Sequence, residues 1–399
     1  MQNFKLITDK VYESLEIFND KKGLLVYLRD IFSQQDIQEI KTLITEDKGA
    51  FVDLYSAFDQ KQEDYFSEVD CEEEIRLYVN ELFSNGFAKI ENVFSEDELE
   101  EVKEFQDLMQ EAIFPDNGIS GYIVTPYTDL SKNSEQIYPL WREVFSHRRA
   151  WHPNAGGHAN PKEKKHISLS PALPNDGQQR IQSKNLGIHP PGINTMVEKP
   201  ILCKIFAHYN NLKKYEIDRS TLEFIFPAPI NHNGWHRDTA FNELKAMILL
   251  EDVDEYTAPI LSAIGSHRAK KDFDKQHLHD MFVMTPNGKF GDPSSWPANT
   301  RWPEYAIHKD SSHNGYISHE HAPFNMSPSE RIQKHVVIND CEYELGAGTG
   351  KAGDVLFFET CALHSGTRAH FKSRRNISLS SAIYSSPKTI FFNMLNDFV

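Results

Sequence analysis

The sequence predicts a mainly β fold with flanking helices: a double-stranded β-helix of the jelly-roll or cupin-like kind. Two observations carry that prediction. From about residue 200 onward, short apolar runs alternate with turn-forming residues, whereas residues 72–84 and 95–113 read as amphipathic helices. The second is a divided set of chemistry-bearing residues, each half lying at the end of a strand-like run. His236 and Asp238 sit in Gly234-Trp235-His236-Arg237-Asp238-Thr239, and His364 sits far downstream in Ala362-Leu363-His364-Ser365-Gly366. Two antiparallel sheets closed into a distorted barrel bring such distant segments together.

The strands follow in order. Thr221–Pro227 precedes the first half of the set, and Leu244–Val253, mainly apolar, follows it. Gly265-Ser266-His267-Arg268 marks a turn. Gly353–Glu359 reads as a turn and then a buried strand leading to His364, and Arg374–Tyr384 is the last strand. Near the N-terminus, Ile31–Lys41 echoes Val93–Lys103. Each is a short apolar strand, a Ser N-cap (Ser33, Ser95), an acidic residue three positions on (Asp36, Glu98), and an amphipathic helix. Residues 46–74 are polar and acidic and suit a linker or a solvated helix. The expected division is an N-terminal extension over 1–70, then one domain over 71–399 with a long insert at about 268–345. A stretch of that length is expected to hold short elements of its own or to close over the site.

Residues i and i+2 of a strand share a face, so His236 and Asp238 can reach one ion. Two imidazoles and one carboxylate on one side of a metal leave three positions open, which is the ligand set of non-haem Fe(II) oxygenases. An H-x-D pair alone is weak evidence in a chain with 18 His and 58 acidic residues; the flanking strands give it weight. His319-Glu320-His321 and the pair His277 and His279 lack a third ligand at motif spacing and are discounted. On the last strand, Arg374, Asn376, Ser378 and Ser380 share one face, and Arg375, Ile377, Leu379 and Ile383 the other. The polar face should line the pocket, so Arg374, with Ser378 beside it, is preferred over Arg375 for holding the far carboxylate of an oxo-acid co-substrate. A guanidinium matches a carboxylate through two parallel charged hydrogen bonds.

Four ordered blocks of this chain resemble the phytanoyl-CoA dioxygenase family. They are Ile75–Lys103 (with Asn85-Gly86-Phe87 and Val93-Phe94-Ser95), Trp235–Asp238, Leu249–Arg268 and Gly353–Tyr384, and they span roughly residues 72–385. The resemblance implies Fe(II) held by His236, Asp238 and His364, 2-oxoglutarate held by the Arg that opens the last strand, and O2 as oxidant. The chain departs from the pattern at Tyr256-Thr257-Ala258-Pro259, where a Gly is usual, and in the length between Gly265 and His364. The expected reaction is hydrogen-atom abstraction from a small, anionic metabolite, with hydroxylation as the default. Oxidative cyclisation or desaturation of an amino-acid-derived natural product, as in kainoid-type synthases, is the main variant. Halogenating relatives lack the carboxylate that Asp238 supplies, so halogenation is not expected. A non-catalytic cupin-like binding protein is the other class, and the complete residue set speaks against it.

Composition bounds the partners. Net charge is −16, which argues against nucleic acid as a general partner. The charge is uneven: residues 142–199 carry nine Lys/Arg and five His against four acidic residues. Arg148, Arg149, Arg180 and Lys184 in that segment, with Trp235 beside the metal motif, are the candidate substrate-binding residues. No apolar run approaches the ~20 residues of a membrane helix. The start lacks a signal-peptide pattern, and four scattered Cys suit a reducing compartment, so a cytoplasmic protein is expected. Cys361 reads as a buried structural thiol.

Overall fold

The computed structural model describes residues 4–13, 15, 21–113, 166–170, 178–184, 192–225, 235–238, 241, 243–254, 257, 259–283, 334–366, 373–381 and 384–397. Four helices open the chain: α1 (Phe4–Glu13), α2 (Lys21–Ile31), α3 (Gln34–Glu46) and α4 (Lys48–Ser67). Then come α5 (Glu73–Asn85), β1 (Phe87–Ile90), α6 (Glu96–Ile113), β2 (His166–Ser170), β3 (Gln178–Lys184), α7 (Ile193–Val197), α8 (Pro200–Tyr209) and β4 (Arg219–Ile225). The remainder is β5 (Leu244–Leu249), β6 (Ile260–Ala263), α9 (Asp272–Val283), β7 (His335–Ile338), β8 (Cys341–Ala347), β9 (Val355–Glu359), β10 (His364–Gly366), β11 (Arg374–Ser380) and α10 (Pro387–Asp397).

The strands form a seven-stranded sheet, β1-β9-β5-β11-β4-β3-β2, and a four-stranded sheet, β10-β6-β8-β7. Every named pairing is antiparallel. From β4 the chain crosses to the small sheet at His236, returns as β5, crosses again as β6 and β8, returns as β9, crosses as β10 and ends as β11. That alternation is the double-stranded β-helix expected from the sequence.

Period-2 alternation decides which side of the large sheet faces what. Leu222, Ala246, Ile248, Val355, Phe357, Ile377 and Leu379 join the core beneath the helices. Their neighbours one residue away face the barrel interior, where Phe87, Met247, Leu249, Leu356 and Phe358 form a separate apolar cluster. Each fully buried large side chain is worth about 1.5–3 kcal/mol.

The capping box predicted at Ser33 is present: Asp36 N–H donates to Ser33 Oγ at 3.1 Å, and Ser33 N–H donates to Asp36 at 2.9 Å. Ser95 and Glu98 repeat it, the backbone of Ser95 donating to Glu98 at 2.9 Å. The apolar residues before each cap are not strands. Ile31 ends α2, and Val93 and Phe94 lie in a turn held by the Gly353 carbonyl. Gly353 has φ +91°, and a Cβ there would stand 2.0 Å from the Phe94 carbonyl oxygen, so only glycine fits.

Residues 48–67 form the long helix α4 rather than a linker, with Phe51, Leu54, Tyr55, Phe58 and Phe66 buried. The N-terminal helices share one continuous core with the large sheet and α10, so a boundary near residue 70 separates no cores. A buried ion pair reinforces that join: Lys388 Nζ on α10 lies 2.5 Å from Asp59 on α4 and sits over the Tyr55 ring. The insert contributes α9, β7 and β8; its aromatic and His-rich part, Trp296 to His321, lies outside the described residues. Among the described residues, no helix is long and apolar enough to cross a membrane.

Candidate metal centre

The two halves of the divided motif meet backbone to backbone. His236 N–H donates to His364 O at 3.0 Å, and His364 N–H donates to His236 O at 2.9 Å. Asp238 N–H donates to Thr360 O at 2.8 Å. The side chains converge accordingly. Asp238 Oδ1 lies 3.5 Å from His236 Nε2 and 3.8 Å from His364 Nε2, and the two imidazole rings are 4.4 Å apart. One ligand atom from each residue lies within 4.8 Å of the others. Among the described residues, this is the one group so arranged.

The donor set fits a divalent metal. His364 Nδ1 is 2.9 Å from the Ala362 carbonyl, so Nδ1–H donates there and Nε2 keeps its lone pair for the metal. Burial, with the neighbouring His236, lowers the His364 pKa to about 3, so the imidazole is neutral. Burial raises the Asp238 pKa, but Lys245, His364 and His236 outweigh it and hold the carboxyl well below its usual range. Lys245 Nζ donates to Asp238 Oδ2 at 2.6 Å.

Arg374 is 4% exposed and on the interior face, as alternation requires. Its Nε donates to Asn376 Oδ1 at 3.1 Å, and Asn376 Nδ2 donates to the Glu223 carboxylate at 2.9 Å. Ser378 follows on the same face, half-buried. Arg375 lies on the outer face. It pairs there with Glu251 at 2.7 Å and Asp107 at 2.8 Å, in keeping with the preference for Arg374.

Trp235 also needs correction as a substrate contact. It is wholly buried in the core of the small sheet, with Leu261, Ala263, Tyr343 and Leu363. Arg148 and Arg149 lie outside the described residues. Arg180 and Lys184 are on β3, where register sets them opposite Glu223 and Arg219. Directly opposed residues share a face, so both positions fall on the interior side of the sheet.

Two supports behind the centre escaped the sequence reading. Arg237, between two of the ligands, is buried, and its guanidinium bonds the Ser266 and Cys361 carbonyls, Asp274 and His277. The sign was the residue type itself, a permanent charge set between two ligand candidates. The other is Glu359, at the end of β9, which accepts from the backbone of Glu243 at 3.1 Å and from Cys361 at 3.4 Å. Burial raises its pKa from 4.5 to about 7, against hydrogen bonds from Tyr209 and Cys361 and the charge of Lys388. A carboxyl raised in this way contributes stability that is full below about pH 4.5 and is lost as pH rises through about 7. Glu359→Gln should therefore flatten the stability–pH curve. Relative to wild type, it should gain on the order of 3 kcal/mol between pH 4 and 8 in denaturant titrations. A gap that does not change with pH would show that Glu359 titrates alike in folded and unfolded chains.

A jelly-roll barrel with two imidazoles and one carboxylate at its mouth defines a non-haem iron oxygenase site. The model of the phytanoyl-CoA dioxygenase (PhyH) family matches residues 83–377, and the chain belongs to that family. It is a non-haem iron, 2-oxoglutarate-dependent oxygenase. No curated protein matches it. Among solved structures, it is similar to EvdMO1 (15% identity, 78% of this chain, TM-score 0.39), of whose length it spans only half (50%). AviO1 from Streptomyces viridochromogenes Tue57 is 13% identical over 80% of this chain and 97% of that one, with TM-score 0.39. SnoN, a non-haem α-ketoglutarate-dependent epimerase from nogalamycin biosynthesis, is 10% identical over 80% and 88%, with TM-score 0.40.

Proposed function

We propose that this oxygenase oxidises a small, carboxylate-bearing metabolite by hydrogen-atom abstraction, with hydroxylation as the ordinary outcome. His236, Asp238 and His364 would hold the iron, and Arg374 the distal carboxylate of 2-oxoglutarate. The observation that carries the reading is the interior face of the large sheet. It carries Arg374, Asn376, Ser378 and Lys245, and Lys245 reaches across to the Asp238 carboxylate. With 2-oxoglutarate and O2, iron supplies the oxidant; the balance is substrate C–H plus O2 plus 2-oxoglutarate to C–OH plus succinate plus CO2.

The chain's own residues supply geometry and charge. The bond to Asn376, itself held by Glu223, fixes the plane of the Arg374 guanidinium and presents it to a planar carboxylate. Arg219 stands opposite Ser380 on the same face, 3.7 Å from Glu243, and its Nε is buried without a hydrogen-bond partner. Arg374 and Arg219 on this face, in a protein of net charge −16, are the groups that would attract an anionic substrate, although Glu223 and Glu243 stand beside them. Oxidative ring closure or desaturation would use the same radical; substrate placement decides between them.

The test is anaerobic titration of Fe(II) and 2-oxoglutarate, followed by the weak visible charge-transfer band. Wild type should show the band. Arg374→Ala should need about 100-fold more 2-oxoglutarate to reach it, the loss of a paired, buried charged contact. Carboxylate metabolites would then be screened by succinate release. A folded wild type with no band would sink the assignment. A library in which only neutral compounds stimulate succinate release would sink the anionic substrate.

A further inference from the structure

Lys245 stands out among the groups facing the site, because it bonds the Asp238 carboxylate and that bond has been given no role so far. It projects from β5 to the barrel interior, on the face of Met247 and Leu249, which line the interior cluster. Lys245 and Asp238 are each about a quarter exposed, at 28% and 25%, so both look into the pocket. The two carboxylate oxygens of Asp238 have separate partners. Oδ1 faces the Nε2 atoms of His236 and His364, at 3.5 and 3.8 Å, and Oδ2 is taken by the Lys245 ammonium at 2.6 Å.

We propose that Lys245 is a positioning residue that restricts Asp238 to one-oxygen ligation and so keeps three metal positions open. The inference rests on the assignment of His236, Asp238 and His364 as ligands. The argument is a count of positions. Two imidazoles and one carboxylate oxygen occupy three sites of an octahedron. A bound 2-oxo acid would take two more, which would leave one for O2. A carboxylate can bind through both oxygens, and then no sixth position remains. An ammonium hydrogen-bonded to Oδ2 makes that swing costly, because the charged hydrogen bond would be lost. Its positive charge also opposes the metal's own pull on Oδ2. The geometry is supported from the strand: β5 lies between β11 and β9, with Lys245 opposite Phe358 in register, so the lysine stem is held at a central position of the sheet.

A lysine that merely supported the fold, or that helped bind the metal, would give a different pattern of effects. Mn(II) binding, read anaerobically from the loss of the free-ion resonance, and succinate release, read with Fe(II), separate these roles in the full-length chain. Lys245→Met removes the charge and the donor. It should bind Mn(II) at least as tightly as wild type, because a repelling cation has gone and a second oxygen is released. Its succinate release should nevertheless fall by about 10–100-fold. Lys245→Arg keeps charge and donors and should recover most of that loss. Weaker Mn(II) binding by Lys245→Met, an unchanged rate, or no recovery in Lys245→Arg would each overturn the proposal. A wild type that takes up no Mn(II), or a His236→Ala variant that binds it normally, would instead overturn the ligand assignment.

Discussion

His236→Ala and His364→Ala should each reduce succinate release by at least ~1,000-fold while leaving the protein folded. Each removes one of three donors, and the chemistry resides in the ion they hold. The fold should survive because the two segments are joined through the main chain. The reciprocal N–H to carbonyl bonds at 3.0 and 2.9 Å do not involve the rings. The one side-chain bond lost with His364 is Nδ1 to the Ala362 carbonyl, worth about 1 kcal/mol. Far-UV circular dichroism should match wild type, and no charge-transfer band should form with Fe(II) and 2-oxoglutarate. Either variant turning over at a tenth of the wild-type rate would mean that the metal is held elsewhere. That result would also undo the role given to Lys245, since the lysine acts only through Asp238.

The site was legible where it depends on local periodicity. An H-x-D pair on an extended segment shares a face by geometry, and a second imidazole after a buried strand marks the partner segment. The choice of Arg374 over Arg375 followed from alternation with Ile377 and Leu379, both wholly buried. Helices α5 and α6 were legible from apolar spacing and, for α6, from the Ser95 cap. What stayed hidden depends on contacts between distant parts of the chain. Residues 48–67 read as acidic and polar because half of the helix is solvated. The buried half is recognised only once α10 is beside it, through a Lys388–Asp59 pair separated by 329 residues. Lys245 lies in a run that reads as mainly apolar, and alternation along that run does not give its pairing with Asp238, seven residues away. Trp235 was misplaced because an aromatic beside a metal motif suits either a pocket wall or a core. Only the neighbouring β6 and β8 decide for the core.

Arg237→Met should destabilise the protein by about 3–5 kcal/mol, more than any other single change proposed, and should take metal affinity down with it. The guanidinium is 1% exposed and makes bonds to three separate segments. NH2 donates to Asp274 of α9 at 2.6 Å, and Nε donates to His277 of the same helix at 3.1 Å. NH1 donates to the Ser266 carbonyl at 2.6 Å and also to the Cys361 carbonyl, three residues before His364. The arginine therefore ties the H-x-D segment to the segment that carries the second imidazole. It also ties both to the helix that opens the insert. Asp274 accepts from Tyr343 on β8 at 2.9 Å, which extends the network into the small sheet. Removing the cation leaves the Asp274 carboxyl buried with one donor and two carbonyls without theirs; that uncompensated burial is the main cost. Burial already raises the Asp274 pKa to about 6 against the pull of Arg237 and Tyr343, so the variant should neutralise it by taking up a proton. The loss should therefore shrink toward acid pH. Arg237→Met with Asp274→Leu removes both charges and should recover part of the loss, since a buried pair replaced by apolar groups is often neutral. Denaturant titrations of the single and double variants, at pH 5 and pH 8, measure this directly. Equal stability of Arg237→Met and wild type at pH 8 would show that the clamp adds nothing to the fold. Recovery of stability in the double variant without recovery of Mn(II) binding would separate the two functions of the arginine. The apolar pair would then hold α9 in place, and the bonds to Ser266 and Cys361 would set the distance between His236 and His364.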